Sequence, residues 1–368
     1  MSTLPRLRRR SVLGIATATA TALGAAALGG CANGRVATLL ERLGLAGSGA
    51  APAPDPALQQ RLDALYARGA RALLANDIDG AVAAWRNYAV LAPTTLARAR
   101  QVRGHLTLLD REAARRFVQR AAAQEGARPT LRTDRLHVAV LPFGSLGPAA
   151  GGTPRPGAAA FNRAVVAMIA VDLARVPALT VLERDKVELL AQELKLSASA
   201  LVDPATAVEP GRLLGAGTLV AGAVYNAPGP GGPGSGRYRL NAAVADVARG
   251  RLVGQHEAEG LQSAFFVLQK RLVHGILDLL GITDRPAAVD TIHTRSWEAY
   301  ARFATGLQLL AEDRFSEART AFLAALQIDP AFQLAEEAFL GTPEAHATLQ
   351  QMQDDARAAL AAAATPTY

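Results

Sequence analysis

The spacing of apolar residues changes twice along the chain. Over residues 58–125, and again over 295–363, apolar positions recur every three or four residues, which predicts amphipathic helices. A stripe of Val102, Leu106, Leu109, Ala113 and Phe117 marks one helix across Leu96–Ala122, and others are expected over Ala331–Phe339 and Ala345–Ala363. Between these ends, residues 134–282 carry short apolar blocks punctuated by Gly and Pro. Leu136–Phe143 (LHVAVLPF) reads as a buried strand before a Gly/Pro loop, and Phe161–Val176 as an apolar helix. Leu179–Glu183 reads as a second strand and Lys186–Leu196 as a second helix. Arg212–Leu214 lies in a short helical turn before a strand over Thr218–Tyr225. Arg237–Ala248 and Arg251–Glu257 form a hairpin around Arg249-Gly250, and a helix over Leu261–Leu280 stops at Gly281. Strands and helices that alternate and then give way to a meander predict an α/β domain with a mixed sheet, flanked by all-α regions.

The two helical ends repeat each other. LDALYARGARALLANDIDGAVAAWRNYAVLAP carries Gly69, Ile78, Ala81, Trp85 and Pro93; AYARFATGLQLLAEDRFSEARTAFLAALQIDP carries Gly306, Phe315, Ala318, Phe322, Ala325 and Pro330. Gly-to-Ala and Gly-to-Pro spacings are the same in both copies. This pattern resembles the tetratricopeptide repeat, in which small residues sit where two antiparallel helices touch. Ordinary helical hairpins with Ala at the crossing give the same shape. The resemblance implies protein-binding surfaces, with Leu65, Ala72, Arg302 and Leu309 on the first helices as the candidate partner contacts.

Export is written into the N-terminus. MSTLPRLRRRSVLGIATATATALGAAALGGCANG joins a basic segment to an apolar stretch of small residues, as in a secretory signal over residues 1–30. Leu28, Gly29 and Gly30 lead into Cys31, the chain's only cysteine, which has no second cysteine for a disulfide. That sequence resembles the lipobox of bacterial lipoproteins, which implies acylation of Cys31 and cleavage before it. An uncleaved membrane helix is the competing reading, but Val12–Leu28 falls short of the usual span and is diluted by Gly and Thr. Arg9-Arg10 also resembles a twin-arginine export signal. Ala32, rather than Asp, after the cysteine leans towards the outer membrane under the usual sorting pattern. Residues 31–57, ending in GSGAAPAPDP, are expected to be a flexible tether.

Charge narrows the partners. The formal net charge is +7, but removing Arg6, Arg8, Arg9 and Arg10 from 39 basic residues leaves 35 against 32 acidic ones. Spread over the rest of the chain, with no stripe interleaved with aromatics, that excess is no nucleic-acid footprint.

LTVLERDKVELLAQELKL gathers four charged residues at the end of a strand. Asp185 and Glu188 have capping-box spacing, so the cluster reads as the punctuation of a helix start, not as an acid–base pair. HVAVLPF, LTVLERDKVELLAQELKL and GRLLGAGTLVAGAVY, in this order, resemble the periplasmic domain of the CsgG family of curli-secretion lipoproteins. They are also similar to the N-terminal α/β domain of TolB-like proteins. The resemblance covers roughly Leu136 to Gly281. It implies an envelope or secretion role and subunits able to assemble into a homo-oligomeric ring. The family's two membrane hairpins have no counterpart here: APGPGGPGSG (Ala227–Gly236) shows no alternation, and almost nothing separates Glu257 from Leu261.

Other chemistry is sparse. Gly144-Ser145-Leu146-Gly147 lacks the residues of a phosphate loop, and no G-x-S-x-G elbow is present. No two of His105, His137, His256, His274, His293 and His346 stand at metal-ligand spacing, and His256-Glu257 reads as the solvent side of the last strand. A hydrolase would need a pair made in three dimensions, such as Glu183 with Asp246. The sequence therefore predicts a non-enzymatic lipoprotein on the periplasmic face of the outer membrane, without a cofactor, that binds protein partners of the envelope.

Overall fold

The computed structural model describes residues 37–43, 45, 54–123, 136–146, 157–182, 184–193, 211, 214–227, 236–345 and 347–364. Its centre is an α/β unit with a mixed sheet, and helical hairpins lie towards both ends of the chain. Strands β1 (Leu136–Val140), β2 (Gly144–Leu146), β3 (Leu179–Val181), β4 (Thr218–Ala227), β5 (Arg237–Asp246) and β6 (Arg251–Leu261) form one sheet. Its order is β3-β1-β4-β5-β6, with β2 paired to the far half of β4. The segment β3-β1-β4 is parallel and β4-β5-β6 antiparallel.

Burial explains the strand compositions. Residues 137–140 of β1 and 218–224 of β4 are buried, as expected of central strands covered on both faces. β6, at the edge, alternates between solvent and helix-facing positions along its length. On one face lie α5 (Ala158–Ala174) and α7 (Phe265–Leu279); on the other, α6 (Arg184–Glu193) packs Val187 and Leu190 against Ala139, Leu141 and Leu219.

Five expectations change. β6 runs to Leu261, so the segment after Glu257 is strand and not a connection. Gly144–Leu146, expected as loop, is the short strand β2. His256 faces α7, where its ring lies against Gly275, because its position shares a side of β6 with buried Ala258. Helix α6 begins at Arg184, so Asp185 lies inside its first turn and cannot be the residue before it. Glu188, the other half of the expected capping box, forms an ion pair with Arg163 of α5 instead.

The fifth change concerns the tether. Residues 37–42 form a helix, α1, whose Leu39, together with Leu43 just after it, is buried in the main core. Arg42 donates to the Pro330 carbonyl (3.0 Å) and to Glu336 (2.9 Å), and Thr94 donates to the Arg42 carbonyl (2.7 Å). Of the four leucines in this stretch, the two that are buried stand one helical turn apart.

Helices α2 (Pro56–Leu74) and α3 (Ile78–Leu91) form the N-terminal hairpin, followed by α4 (Ala97–Ala123). At the other end, α8 (Trp297–Ala311) and α9 (Phe315–Ile328) form a second hairpin, followed by α10 (Gln333–Gly341) and α11 (Leu349–Ala364). At about 40 Å, α4 is long enough to touch everything. Its first half packs Ala99, Val102, Leu106 and Leu109 with α2 and α3, and Phe117 reaches the α6 side of the sheet. Its middle meets the C-terminal helices: Thr107 donates to the Gly341 carbonyl at 2.5 Å.

Candidate functional site

The two hairpins share an internal construction. In each, a glycine of the first helix meets an aromatic ring of the second: Gly69 against Trp85 and Gly306 against Phe322. A Cβ at either glycine would overlap the ring, so only glycine lets the helices approach this closely. Seven residues after each glycine comes a non-glycine residue in the left-handed region, Asn76 and Asp313, both at φ 59°. Asn and Asp tolerate this conformation better than other side chains. Ala81 and Ala318 are fully buried at the crossings, and Pro93 and Pro330 follow the ends of α3 and α9.

Both turns are gripped by arginines of α4. Arg116 donates to Asn76 Oδ1 at 3.1 Å, while Arg111 donates to the Leu310 carbonyl at 2.6 Å and pairs with Asp313. Because Arg111 and Arg116 of α4 each reach a different turn, one element registers the two hairpins. Nothing in the sequence repeat signals this pairing.

The candidate partner residues lie apart. Leu65 is half-buried and lines an outer groove of about 570 Å³ with Arg61, Arg68, Asn87 and Val90; Val90 is 83% exposed. Ala72 packs against the N-terminal core and Leu309 against the main core. Arg302 is exposed on α8, 3.9 Å from Glu298.

The junction between α8 and the sheet unit holds the densest chemistry. Phe161, Tyr238, Phe265, Phe266, Trp297 and Tyr300 form one aromatic cluster with ring centroids 5.1–6.2 Å apart. The Tyr300 hydroxyl donates to the Phe161 carbonyl at 2.8 Å, and burial pushes its pKa well above the ordinary tyrosine value. Nearby, the wholly buried carboxylate of Asp172 on α5 accepts from Lys270 Nζ (2.6 Å) and Gln269 Nε2 (2.9 Å) of α7. His293, ahead of α8, lies 3.0 Å from its other oxygen, and Arg175 donates to the same oxygen at 3.2 Å. Burial would raise the Asp172 pKa, but the hydrogen bonds from His293, Gln269 and Lys270 reverse this and hold it below the ordinary value. Burial pulls the Lys270 ammonium below its ordinary value, with Asp172 opposing.

Such a site locks elements together. A buried acid surrounded by donors has no room for a substrate, and breaking one partner strands the others. Sequence reading missed it, although Lys270 is one of only three lysines and lies on an apolar helix.

Of the four charged residues at the strand end, only Arg184 has a described side chain. Glu183 lies outside the described residues. Arg184, Arg163, Glu188 and Asn162 line a cavity of about 140 Å³ at the carboxyl end of β1, beside Phe143. Asp246, considered with Glu183 as a hydrolytic pair, accepts from the Arg249 backbone at 2.9 Å and its guanidinium at 2.7 Å. It pairs with Thr218 of β4, level with Val181 at the end of β3 but separated from it by β1 and β4. Among the described residues no group of three His, Cys, Asp or Glu could hold a metal ion, and no helix is long and apolar enough to cross a membrane. Cys31, Leu28, Gly29 and Gly30 lie outside the described residues.

Residues 119–228 match the family model described as curli production assembly/transport component CsgG. The matched segment starts in α4 and ends just past β4, so the β5–β6 meander and α7 lie beyond it. No curated protein sequence matches the chain. Among solved structures, the C-terminal domain of LpoB from Salmonella enterica aligns at 15% identity with a TM-score of 0.24, covering 41% of this chain and 98% of that one.

Proposed function

We propose that this chain is an exported lipoprotein, acylated at Cys31 and held at the periplasmic face of the outer membrane. There it serves as a non-enzymatic scaffold of a CsgG-related, curli-like envelope or secretion system. The observation that carries the reading is the length of the connections beside the matched segment. β4 and β5 stay paired as far as Ala227 and Arg237, leaving only the nine residues 228–236 between them. A membrane hairpin needs about 9–11 residues in each of two strands. From β6 the chain passes directly through the turn Gln262–Ala264 into α7, which leaves no room for a second hairpin. These short connections favour a scaffold over a channel subunit, since they fall short of the length that two membrane strands need.

The tetratricopeptide-like hairpins supply the binding surfaces in this reading, and the bound groups are protein helices or peptides of the envelope. A ring-forming channel subunit is the second reading, favoured by the family match over residues 119–228. Two measurements test the pair. Cys31→Ser is expected to abolish labelling by radioactive palmitate and release the protein from membranes; retained label or attachment would sink the lipoprotein reading. The native mass of the wild-type protein in mild detergent is expected to be that of a monomer or dimer. A ring of eight or more copies would put the channel reading ahead.

A further inference from the structure

We propose that the groove between α2 and α4 is a receptor for an amphipathic helix, and that α11 is the chain's own displaceable occupant of it. This rests on the scaffold reading and deepens it by naming the partner's chemistry. Helix α11 comes from the far end of the chain, yet Met352 and Ala356 are buried in one cluster with Tyr66, Ala70 and Leu73 of α2 and Ala99, Val102 and Leu106 of α4. The groove walls also pack on each other: Trp85 of α3 stacks on Tyr66 of α2 at 5.8 Å and lies against Gly69.

Among the described residues, two side chains carry most of the burial of α11. Only Met352 and Ala356 are fully buried; Leu349, Ala359 and Leu360 are half-buried. Polar links among the described residues include Gln353 donating to the Leu73 carbonyl at 3.2 Å and Gln101 donating to Asp355 at 3.4 Å. The helix also carries its own start. Thr348 Oγ1 accepts from the Gln351 backbone at 3.2 Å and Gln351 Oε1 accepts from the Thr348 backbone at 2.7 Å, a reciprocal capping box. Gln350 donates to Asp354 at 3.1 Å and Arg357 pairs with the same carboxylate. Seven of the sixteen residues are alanine, the strongest helix former. A segment with its own cap and a high alanine content, seated on α2 and α4 through Met352 and Ala356, has the properties of a bound ligand. A competing helix would carry apolar side chains at the positions of Met352, Ala356 and Leu360, with an acid at the place of Asp355 beside Gln101. A larger residue than alanine at the central position would give it the advantage.

The test uses the full chain with a site-specific protease sequence inserted in segment 343–348. After cutting and dilution, α11 is expected to leave while the near-ultraviolet signal of Trp85 is retained in a Trp297→Phe background. A fluorescent peptide of residues 345–364 is expected to rebind the cut chain and not the uncut one, and its Ala356→Arg version to bind more weakly by about tenfold or more. Failure of α11 to leave, loss of the Trp85 signal on its departure, or equal binding of both peptides would each overturn the proposal. All three readouts are the same with Cys31→Ser, so their failure is distinct from failure of the membrane-scaffold reading.

Discussion

In both hairpins a glycine meets an aromatic ring sixteen residues further on, and a left-handed Asn or Asp turns the chain between the helices. What surrounds the ring differs. Among the described residues, Trp85 belongs to a core built from α2, α3, α4 and α11, whereas Phe322 belongs to the core that also contains the sheet, α5 and α7. The C-terminal hairpin is bolted to the α/β unit by six aromatic rings and by the donors around Asp172. Among the described residues the N-terminal hairpin has no such bolt; it is joined through α4 and closed by α11. A repeated sequence motif therefore fixes the geometry inside a hairpin and says nothing about how the hairpin is held. Stability is expected to divide accordingly, with the N-terminal hairpin opening as a local unit and the C-terminal one only with the whole.

Asp172→Ala should give the largest effect. Removing the carboxylate leaves Lys270 buried without its counter-charge, a loss of about 3–5 kcal/mol. Calorimetry should show the main transition falling, with Trp297 and the sheet melting together; a fall confined to Trp85 would break the comparison. Next come the glycines. Gly69→Ala and Gly306→Ala each force a methyl into an aromatic ring and should cost about 1–3 kcal/mol. The first should lower only the transition reported by Trp85, the second the main one. Equal effects of both on a single transition would mean that the two cores are one cooperative unit.

The smallest effect is that of pH. Burial lowers the pKa of His105, which lies against Trp85 at 5.7 Å. The unfolded state then binds the proton more readily, so the stability that the neutral ring supports is present above about pH 6.5 and is lost as pH falls below it. Asp172 has a folded pKa below its ordinary value, so its contribution persists until pH falls below about 3.9. Acid titration followed by fluorescence should move Trp85 first and Trp297 at lower pH. The reverse order would refute the assignment of these two groups.

The sheet was legible because its strands are short apolar runs between turn residues: Leu136–Val140, Thr218–Ala227 and the meander after Arg237 lie where the pattern puts them. The hairpins were legible from glycine, alanine and proline at matching intervals. Three features were not. Leu39 and Leu43 sit in the short apolar run over residues 36–45, which is followed by the small residues of GSGAAPAPDP and so reads as part of a linker. Asp172 and Lys270 read as charges on helix faces, because their burial depends on where His293 and the aromatic cluster bring α8. Arg111 and Arg116 are five residues apart on one helix, and nothing local says that each reaches a different turn.

The docking of Leu39 and Leu43 has a consequence at the bilayer. With Cys31 as the proposed anchor, only residues 32–36 separate the acyl chains from helix α1. Fully extended, such a leash measures about 20 Å. The protein could not then tumble freely beneath the membrane: Pro330 and Glu336, which hold Arg42, would always lie near the lipid headgroups. One flank of the molecule would be permanently shaded by the membrane, and visitors from the periplasm would have to dock on the others.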